Sequence, residues 1–194
     1  MKLKNLLLIV LTSSLLFSNL SAQNFDFRST KWGMDSLQVR KSEKTKFVYS
    51  KKNTLVYAGK IADMEAKIIY NFNSSNQLFR AFYNIALSNK DSKNPTNSVN
   101  AYLMFQDLLT TKYSEPFSKR SSTINGKELK QEEWASNLIS DNLTLETKWK
   151  NENTEITLTL FSINDELFIE IIYATLNKNI KENENYKQQI IKEL

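Results

Sequence analysis

Residues 94–116 have the sequence NPTNSVNAYLMFQDLLTTKYSEP, the one long helical pattern in the chain after residue 22. Asn94 stands where a helix N-cap is expected, and Pro95 suits the first helical position because the N–H at that position needs no partner within the helix. Pro116 ends the pattern. At 100° per residue one broad apolar face is formed by Val99, Tyr102, Leu103, Phe105, Leu109 and Tyr113. Further apolar residues lie opposite, so we expect a core helix that is covered on more than one side. The alternative is a helix with an exposed partner-binding face.

Strand-like segments precede this helix. Residues 46–50 and 54–60 flank a polar turn at 51–53, and residues 64–72 and 78–87 alternate as half-buried strands do. In the last two segments the side chains expected to face the core are Ala66, Ile68, Tyr70, Phe72, Phe79, Ala81, Tyr83, Ile85 and Leu87. The pattern therefore predicts a four-stranded antiparallel meander.

A similar order of segments comes after the helix. Residues 118–124 and 127–134 flank Asn125-Gly126, which is typical of a two-residue hairpin turn, and further strands are predicted at 143–149, 156–160 and 167–173. The chain is thus predicted to be an α+β protein. Its two helix-plus-antiparallel-β-meander halves, about residues 23–93 and 94–176, pack as one domain with the helices on one face of the sheet. The polar tail 177–194 is expected to be a frayed helix or disordered.

Residues 1–22 have the layout of a secretory signal peptide. Lys2 and Lys4 precede an apolar run, and small residues stand before the expected cut between Ala22 and Gln23. The alternative, a membrane anchor, needs about 20 uninterrupted apolar residues, whereas Thr and Ser residues at 12–14 and 18 break this run. We therefore expect a periplasmic or extracellular protein with no transmembrane helix in the mature chain.

A short helix is predicted at residues 36–43, because Asp35 and Gln38 are placed as the two partners of a capping box. A second pattern surrounds it, made of Trp32, Gly33, Met34, Val39 and Glu43. This pattern resembles the W-G-M-x(4)-V-x(3)-E opening of uncharacterised secreted bacterial proteins of the Bacteroidetes type. The resemblance implies an exported protein and a fold, and it implies no known activity.

In outline the chain is also similar to β-lactamase-inhibitor-like proteins and to small outer-membrane-assembly lipoproteins. In that resemblance the central helix ends in a Lys-Tyr-Gly-x-Pro phrase. Here the corresponding residues are Lys112, Tyr113, Ser114, Glu115 and Pro116, so serine stands in place of the glycine.

Composition excludes several kinds of chemistry. Of the 194 residues, 41% are hydrophobic, enough for one buried core, and none is cysteine or histidine. The chain therefore has no thiol nucleophile, no imidazole base and none of the usual transition-metal ligands. Glu132 and Glu133 are adjacent on a predicted strand, where neighbours point to opposite faces, so they are not expected to form a catalytic pair. We predict no enzymatic activity, no cofactor and no metal; a glycosidase that uses carboxylates alone is the rival hypothesis.

The charge of the chain does not indicate a nucleic-acid partner. The net charge of +5 falls to +3 once the lysines at positions 2 and 4 are removed, and the remaining excess is scattered. Residues 44–52 are lysine-rich with Phe47 and Tyr49 interleaved, a texture also found in proteins that bind single-stranded nucleic acid. We interpret this segment as a solvated basic hairpin and predict no nucleic-acid partner.

Aromatic residues are the side-chain class most suggestive of binding. With three tryptophans and eight tyrosines, the chain has more than a minimal core needs; they line either a concave surface for a peptide or small ligand, or the core itself. We predict a binding surface formed by Trp32, Met34, Tyr49 and Tyr57. The expected function is a non-enzymatic interaction module of the cell envelope, in which the exposed face of the sheet or the loop around Trp32 contacts an envelope protein as its partner. The alternatives are a structural envelope protein or a small-ligand carrier with an aromatic-lined pocket.

Overall fold

A computed structural model describes residues 25–87, 94–123, 125–138, 142–164 and 166–181. The predicted signal peptide and the tail beyond residue 181 lie outside these residues. In chain order the described elements are α1 (Ser36–Ser42), β1 (Lys46–Lys51), β2 (Thr54–Ile61), β3 (Met64–Phe72), β4 (Leu78–Ala86), α2 (Pro95–Tyr113), β5 (Ser118–Thr123), α3 (Gln131–Leu138), β6 (Leu143–Lys150), β7 (Thr154–Ile163) and β8 (Glu166–Thr175).

The eight strands form one antiparallel sheet in the order β1-β2-β3-β4-β8-β7-β6-β5. β1 to β4 pair in sequence, and β5 to β8 pair in sequence in the opposite direction across the sheet. The two groups join where β4 pairs with β8, with Ala81 opposite Tyr173 and Ile85 opposite Ile169. The predicted α+β class with an antiparallel sheet is confirmed.

One face of the sheet contains the core, and we call it the core face. A row across five strands shows it, because the residues that lie opposite one another are all buried: Tyr70, Ala81, Tyr173, Ile156 and Trp149. The alternate residues point to the outer face, for example Ile69, Phe82 and Ile172, which are only partly buried. The period of two in the sequence is the physical origin of this division.

α2 contacts β6, β7 and also α3. Its buried residues include Val99, Tyr102, Phe105 and Leu109, as the helical pattern predicts. Met104 and Leu108 on the far side are exposed, so the expectation that apolar residues there are covered as well is wrong. Pro95 occupies the start of the helix as predicted. Asn94 is the N-cap residue, but its side chain makes no capping hydrogen bond; its carbonyl oxygen accepts from the backbone N–H of Asn97 at 2.9 Å instead.

The predicted strand at residues 127–134 is wrong. After the turn at Gly126, which has φ +75°, the chain makes a single bridge between Ser122 and Glu128 and then enters helix α3. The segment is rich in Lys, Glu and Gln, which favour helix over strand, and the Glu133 carboxylate accepts from the Lys130 backbone N–H at 2.9 Å, the second half of a capping box. Asn125-Gly126 does mark a turn, but a turn dipeptide does not determine the secondary structure of the residues after it.

Phe79 is predicted to face the core, and this prediction is wrong. The pairing of β3 with β4 shifts at this point, so that Asn71 lies opposite Arg80 and Phe72 lies opposite Leu78. Phe79 is the extra residue of this bulge and is only partly buried, whereas Leu78 is fully buried. The other core positions predicted for β3 and β4 are all buried: Ala66, Ile68, Tyr70, Phe72, Ala81, Tyr83, Ile85 and Leu87.

Candidate functional site

Trp32 and Met34 hold the N-terminal segment against the sheet. The Trp32 indole N–H donates to the Thr154 hydroxyl at 2.8 Å, at the start of β7. The Gly33 N–H donates to the Leu78 carbonyl at 2.9 Å, and the Leu78 N–H donates to the Met34 carbonyl at 2.8 Å. Gly33 has φ +86°, a conformation that glycine adopts without strain. Both predicted site residues are partly buried and take part in internal contacts.

Glu43, the last residue of the W-G-M pattern, is a buried carboxylate. Its side chain is 1% exposed and forms an ion pair with Arg28 at 2.8 Å. It also accepts hydrogen bonds from the Tyr70 hydroxyl, from the backbone N–H groups of Lys44 and Thr45, and from the Thr45 hydroxyl. Burial alone raises the pKa of the Glu43 carboxyl, but the bonds from Tyr70, Thr45 and Arg28 outweigh it and lower that pKa to about 2. Glu43 is therefore ionised and fully bonded, which suits a structural anchor.

A cluster of aromatic rings surrounds this ion pair. Phe27 lies 5.5 Å from Tyr70, 5.1 Å from Tyr83 and 5.0 Å from Tyr173 between ring centroids. The Tyr57 ring continues the cluster, 5.8 Å from Tyr70. These rings pack in the edge-on and tilted arrangements usual for a protein core. Tyr57, which is predicted as a site residue, is 3% exposed and belongs to the core.

Tyr49 lies in a different setting, on edge strand β1. All six residues of this strand are exposed, and its centre contains three consecutive apolar side chains, Phe47, Val48 and Tyr49, which are 42%, 50% and 49% exposed. β1 is the end strand of the sheet, and no described residue pairs with its outer side. The structure therefore places Trp32 and Met34 next to β4 and β7, and Tyr49 at the far edge; it does not bring the four predicted residues together.

A bulge at Val48 determines which way the β1 side chains point. Phe47 pairs with Tyr57 and Tyr49 pairs with Val56, so Val48 is the extra residue between them. Phe47 consequently points to the core face, where the Arg40 guanidinium lies 4.5 Å from its ring centroid. The side chains that share the outer face are Lys46, Tyr49 and Lys51, opposite Ala58, Val56 and Thr54.

Cations surround the apolar centre of β1. Between residues 40 and 52 the chain has six basic residues, Arg40, Lys41, Lys44, Lys46, Lys51 and Lys52, and all six are exposed. The one acidic residue in this span is Glu43, which is buried against Arg28. We call the strand Lys46–Lys51 and these surrounding cations the β1 edge.

The opposite edge of the sheet is covered along the second half of its strand, β5. Beside β5, the Thr123 N–H donates to the Lys127 carbonyl at 3.0 Å, and the Leu129 N–H donates to the Ser121 carbonyl at 3.2 Å. The Ser121 hydroxyl donates to the Leu129 carbonyl at 2.7 Å. Proteins commonly cover or charge an edge strand, because its free backbone groups can pair with another chain. Of the two edges, β1 is the one that the described residues leave open.

Two clefts lie beside helices α2 and α3. One, of about 260 Å³, lies between α2, α3, β5 and β6 and is lined by polar side chains such as Gln106, Lys119 and Glu128, with Trp134 among them. The Tyr102 hydroxyl and Thr147 hydroxyl are 2.7 Å apart at its base, and burial raises the pKa of Tyr102 to about 12. The second, of about 340 Å³, lies between α2 and α3. The first has two aromatic side chains, Tyr102 and Trp134, among mostly polar ones, and the second has none, so neither is the mostly apolar pocket expected for a carrier of apolar ligands.

The outer face of the sheet is mixed in character. Phe161 and Phe168 stack with ring centroids 5.8 Å apart, and the Arg80 guanidinium lies 5.0 Å from the Phe82 ring. The Asn84 amide donates to the Glu170 carboxylate at 2.9 Å. These side chains are partly buried and contact one another, whereas the three apolar side chains at the centre of β1 are each more exposed.

Clusters that could hold a metal ion and helices that could cross a membrane are absent from the described residues. No group of three or more acidic, histidine or cysteine side chains there could hold a metal ion. No helix among the described residues is long and apolar enough to cross a membrane.

Comparison of the chain with protein-family models, with curated proteins and with solved structures found no match.

Proposed function

We propose that this protein is a non-enzymatic interaction module of the bacterial cell envelope and that its partner binds at the β1 edge. The single observation that supports this most strongly is the run Phe47-Val48-Tyr49, three half-exposed apolar side chains on a strand whose outer side pairs with none of the described residues. Exposed apolar surface on an open edge favours association with another chain.

The other predicted site residues have structural roles. Trp32 and Met34 bind the N-terminal segment to β4 and β7, and Tyr57 fills the core, so the proposal moves the site from the Trp32 loop to the β1 edge. Export rests on the signal-peptide layout of residues 1–22, and sequencing the N-terminus of the mature protein tests the cut at Ala22/Gln23.

The finer architecture is part of the proposal. We take the halves, about residues 23–93 and 94–176, as two units of similar plan whose helices share the core face. Two contacts support this: Tyr102 of α2 reaches Thr147 on the core face, and Glu43, directly after α1, reaches Tyr70 on the same face. Among the described residues, a segment of the chain covers part of the β5 edge and none pairs with the outer side of β1.

Site-specific photo-crosslinking tests the surface. A photoreactive residue is placed at Val48 or Tyr49, and, as matched controls of similar exposure, at Leu108 of α2 or Ile163 of β7. The labelled proteins are illuminated in envelope extract of the producing organism. We expect a discrete adduct from positions 48 and 49 and none from 108 and 163. Equal labelling from all four positions, or none from β1, would refute the proposal and favour a structural protein without a discrete site.

A further inference from the structure

We infer that the partner binds as an added β-strand beside β1, and that its strand presents an acidic, an apolar and an acidic side chain in alternation. This inference rests on the proposed function and specifies the class of partner. The features that support it are the open backbone of β1, the direction of its side chains and the charge around it.

The backbone of β1 is suited to strand addition. It is the end strand of an eight-stranded sheet, and its outer N–H and C=O groups have no pairing strand among the described residues. An extended peptide that adds to such an edge gains main-chain hydrogen bonds, while alternate side chains supply the specificity. The β5 edge, covered by residues 127–129, cannot accept a strand in the same way.

The side chains of β1 set the pattern that the added strand must match. Because the bulge at Val48 absorbs one residue, Lys46, Tyr49 and Lys51 occupy alternate positions on the outer face. An added strand places its own alternate side chains directly beside them. If the added strand has two carboxylates four residues apart, they would lie next to Lys46 and Lys51. An apolar residue midway between them would lie beside Tyr49. On the core face the added strand meets Phe47 and Ser50, so one further apolar residue is expected beside Phe47.

A second copy of this chain does not fit the same edge. If two β1 strands paired antiparallel with Tyr49 opposite Tyr49, Lys46 of each would lie opposite Lys51 of the other; in a parallel pair each lysine would lie opposite its own copy. Like charges directly opposite one another destabilise strand pairing. The exposed cations between residues 40 and 52 add to the repulsion, and the same cations attract an acidic partner.

Synthetic peptides test the chemistry. The probe is the fluorescently labelled, end-blocked peptide Ser-Thr-Glu-Val-Tyr-Thr-Glu-Thr-Ser, and its control has Lys in place of both Glu residues. In anisotropy titrations of the whole protein we expect the acidic peptide to bind about tenfold more tightly, since two attractive pairs replace two repulsive ones. The double variant Lys46→Glu/Lys51→Glu should reverse this preference. The matched control Lys127→Glu/Lys130→Glu, which changes two exposed lysines elsewhere, should leave it unchanged.

Backbone methylation separates strand addition from simple charge attraction. In an added strand, alternate residues direct their N–H groups toward β1 and the others direct theirs away. Two isomers of the acidic peptide, N-methylated on one alternate set or on the other, keep the same charge. We expect one isomer to lose binding and the other to keep it. Equal binding of the two isomers would overturn the inference.

Other occupants give different results. Binding to phosphatidylglycerol vesicles, without binding to either peptide, would assign the β1 edge to anionic lipid and overturn strand addition. A dimer in sedimentation that a Tyr49→Glu change abolishes would assign the edge to a second copy and also overturn it, because that change places two carboxylates opposite one another in the paired β1 strands. If crosslinking at positions 48 and 49 succeeds while no peptide binds, strand addition fails and the proposed interaction surface stands. If that crosslinking fails as well, both fail.

Discussion

Replacing Glu43 by glutamine tests how much the ion pair between Glu43 and Arg28 stabilises the fold. The change keeps the shape of the side chain and removes its charge. One carboxylate oxygen accepts from the two backbone N–H groups at Lys44 and Thr45, and the glutamine carbonyl can replace it. The glutamine NH₂ then takes the place of the other oxygen and faces the Arg28 Nε–H, which donates at 2.8 Å in the native protein. Two donors then face each other, and the guanidinium loses its partner charge.

The magnitude can be worked out from the pKa of Glu43. A carboxyl whose pKa falls from its ordinary value of 4.5 to about 2 on folding contributes about 3 kcal/mol to the free energy of unfolding at neutral pH. Removing one partner of a buried ion pair costs about 3–5 kcal/mol, which agrees in size. Since the folded-state pKa is depressed, the contribution is complete above pH 4.5 and is lost as the pH falls from 4.5 to about 2.

Urea unfolding followed by tryptophan fluorescence measures the effect, because Trp149 is fully buried. We expect Glu43→Gln to lower the free energy of unfolding by about 3 kcal/mol at pH 7 and the difference from the native protein to shrink steadily below pH 4.5. The control Glu65→Gln removes an exposed carboxylate that lies 3.1 Å from Lys60, and it should change stability by less than about 0.5 kcal/mol. A loss for Glu43→Gln below about 1 kcal/mol, or one that is equal at pH 3 and pH 7, would refute the reasoning.

Two further predictions concern the backbone. Ser114 ends α2 with φ +68° and ψ −162°, a conformation that glycine adopts freely. Ser114→Gly should therefore raise the free energy of unfolding by about 1 kcal/mol, and Ser114→Val should lower it. Equal stability of both variants in urea unfolding would contradict this. At the β4 bulge, Leu78→Ala should cost about 2–5 kcal/mol because Leu78 is fully buried, and Phe79→Ala should cost clearly less. If the same unfolding curves showed the opposite order, they would indicate that β3 and β4 pair without the bulge and that Phe79 faces the core.

The candidate site was only partly predictable from sequence. The pattern at residues 44–52 drew attention to Phe47 and Tyr49, but the same pattern suits any solvated basic hairpin. The feature that distinguishes β1 is its place at the end of the sheet, and strand order depends on pairings between residues far apart in the chain, such as β4 with β8. The W-G-M pattern was the more conspicuous signal, and the structure assigns its Trp32 and Glu43 to internal hydrogen bonds.

Local periodicity determined most of the secondary structure. Alternation of side chains specifies strands β3, β4 and β6 to β8, and the apolar face with Pro95 specifies α2, because strand and helix periods are properties of a few consecutive residues. The capping box of Asp35 and Gln38 is equally local, and both of its hydrogen bonds are present. Absence of cysteine and histidine limits the chemistry for the same reason: it is a property of the sequence itself.

Only the tertiary structure decided the features that depend on distant partners. The bulges at Val48 and Phe79 arise from the register with a neighbouring strand, and each redirects side chains that alternation alone assigns to the other face. Residues 131–138 adopt the helix that their propensity favours, α3, because the segment before them covers β5 with a short bridge and does not extend the sheet. Glu43 resembles any other surface carboxylate until the fold places Arg28 and Tyr70 beside it. Burial and proximity are properties of the folded chain, and they give these residues their roles.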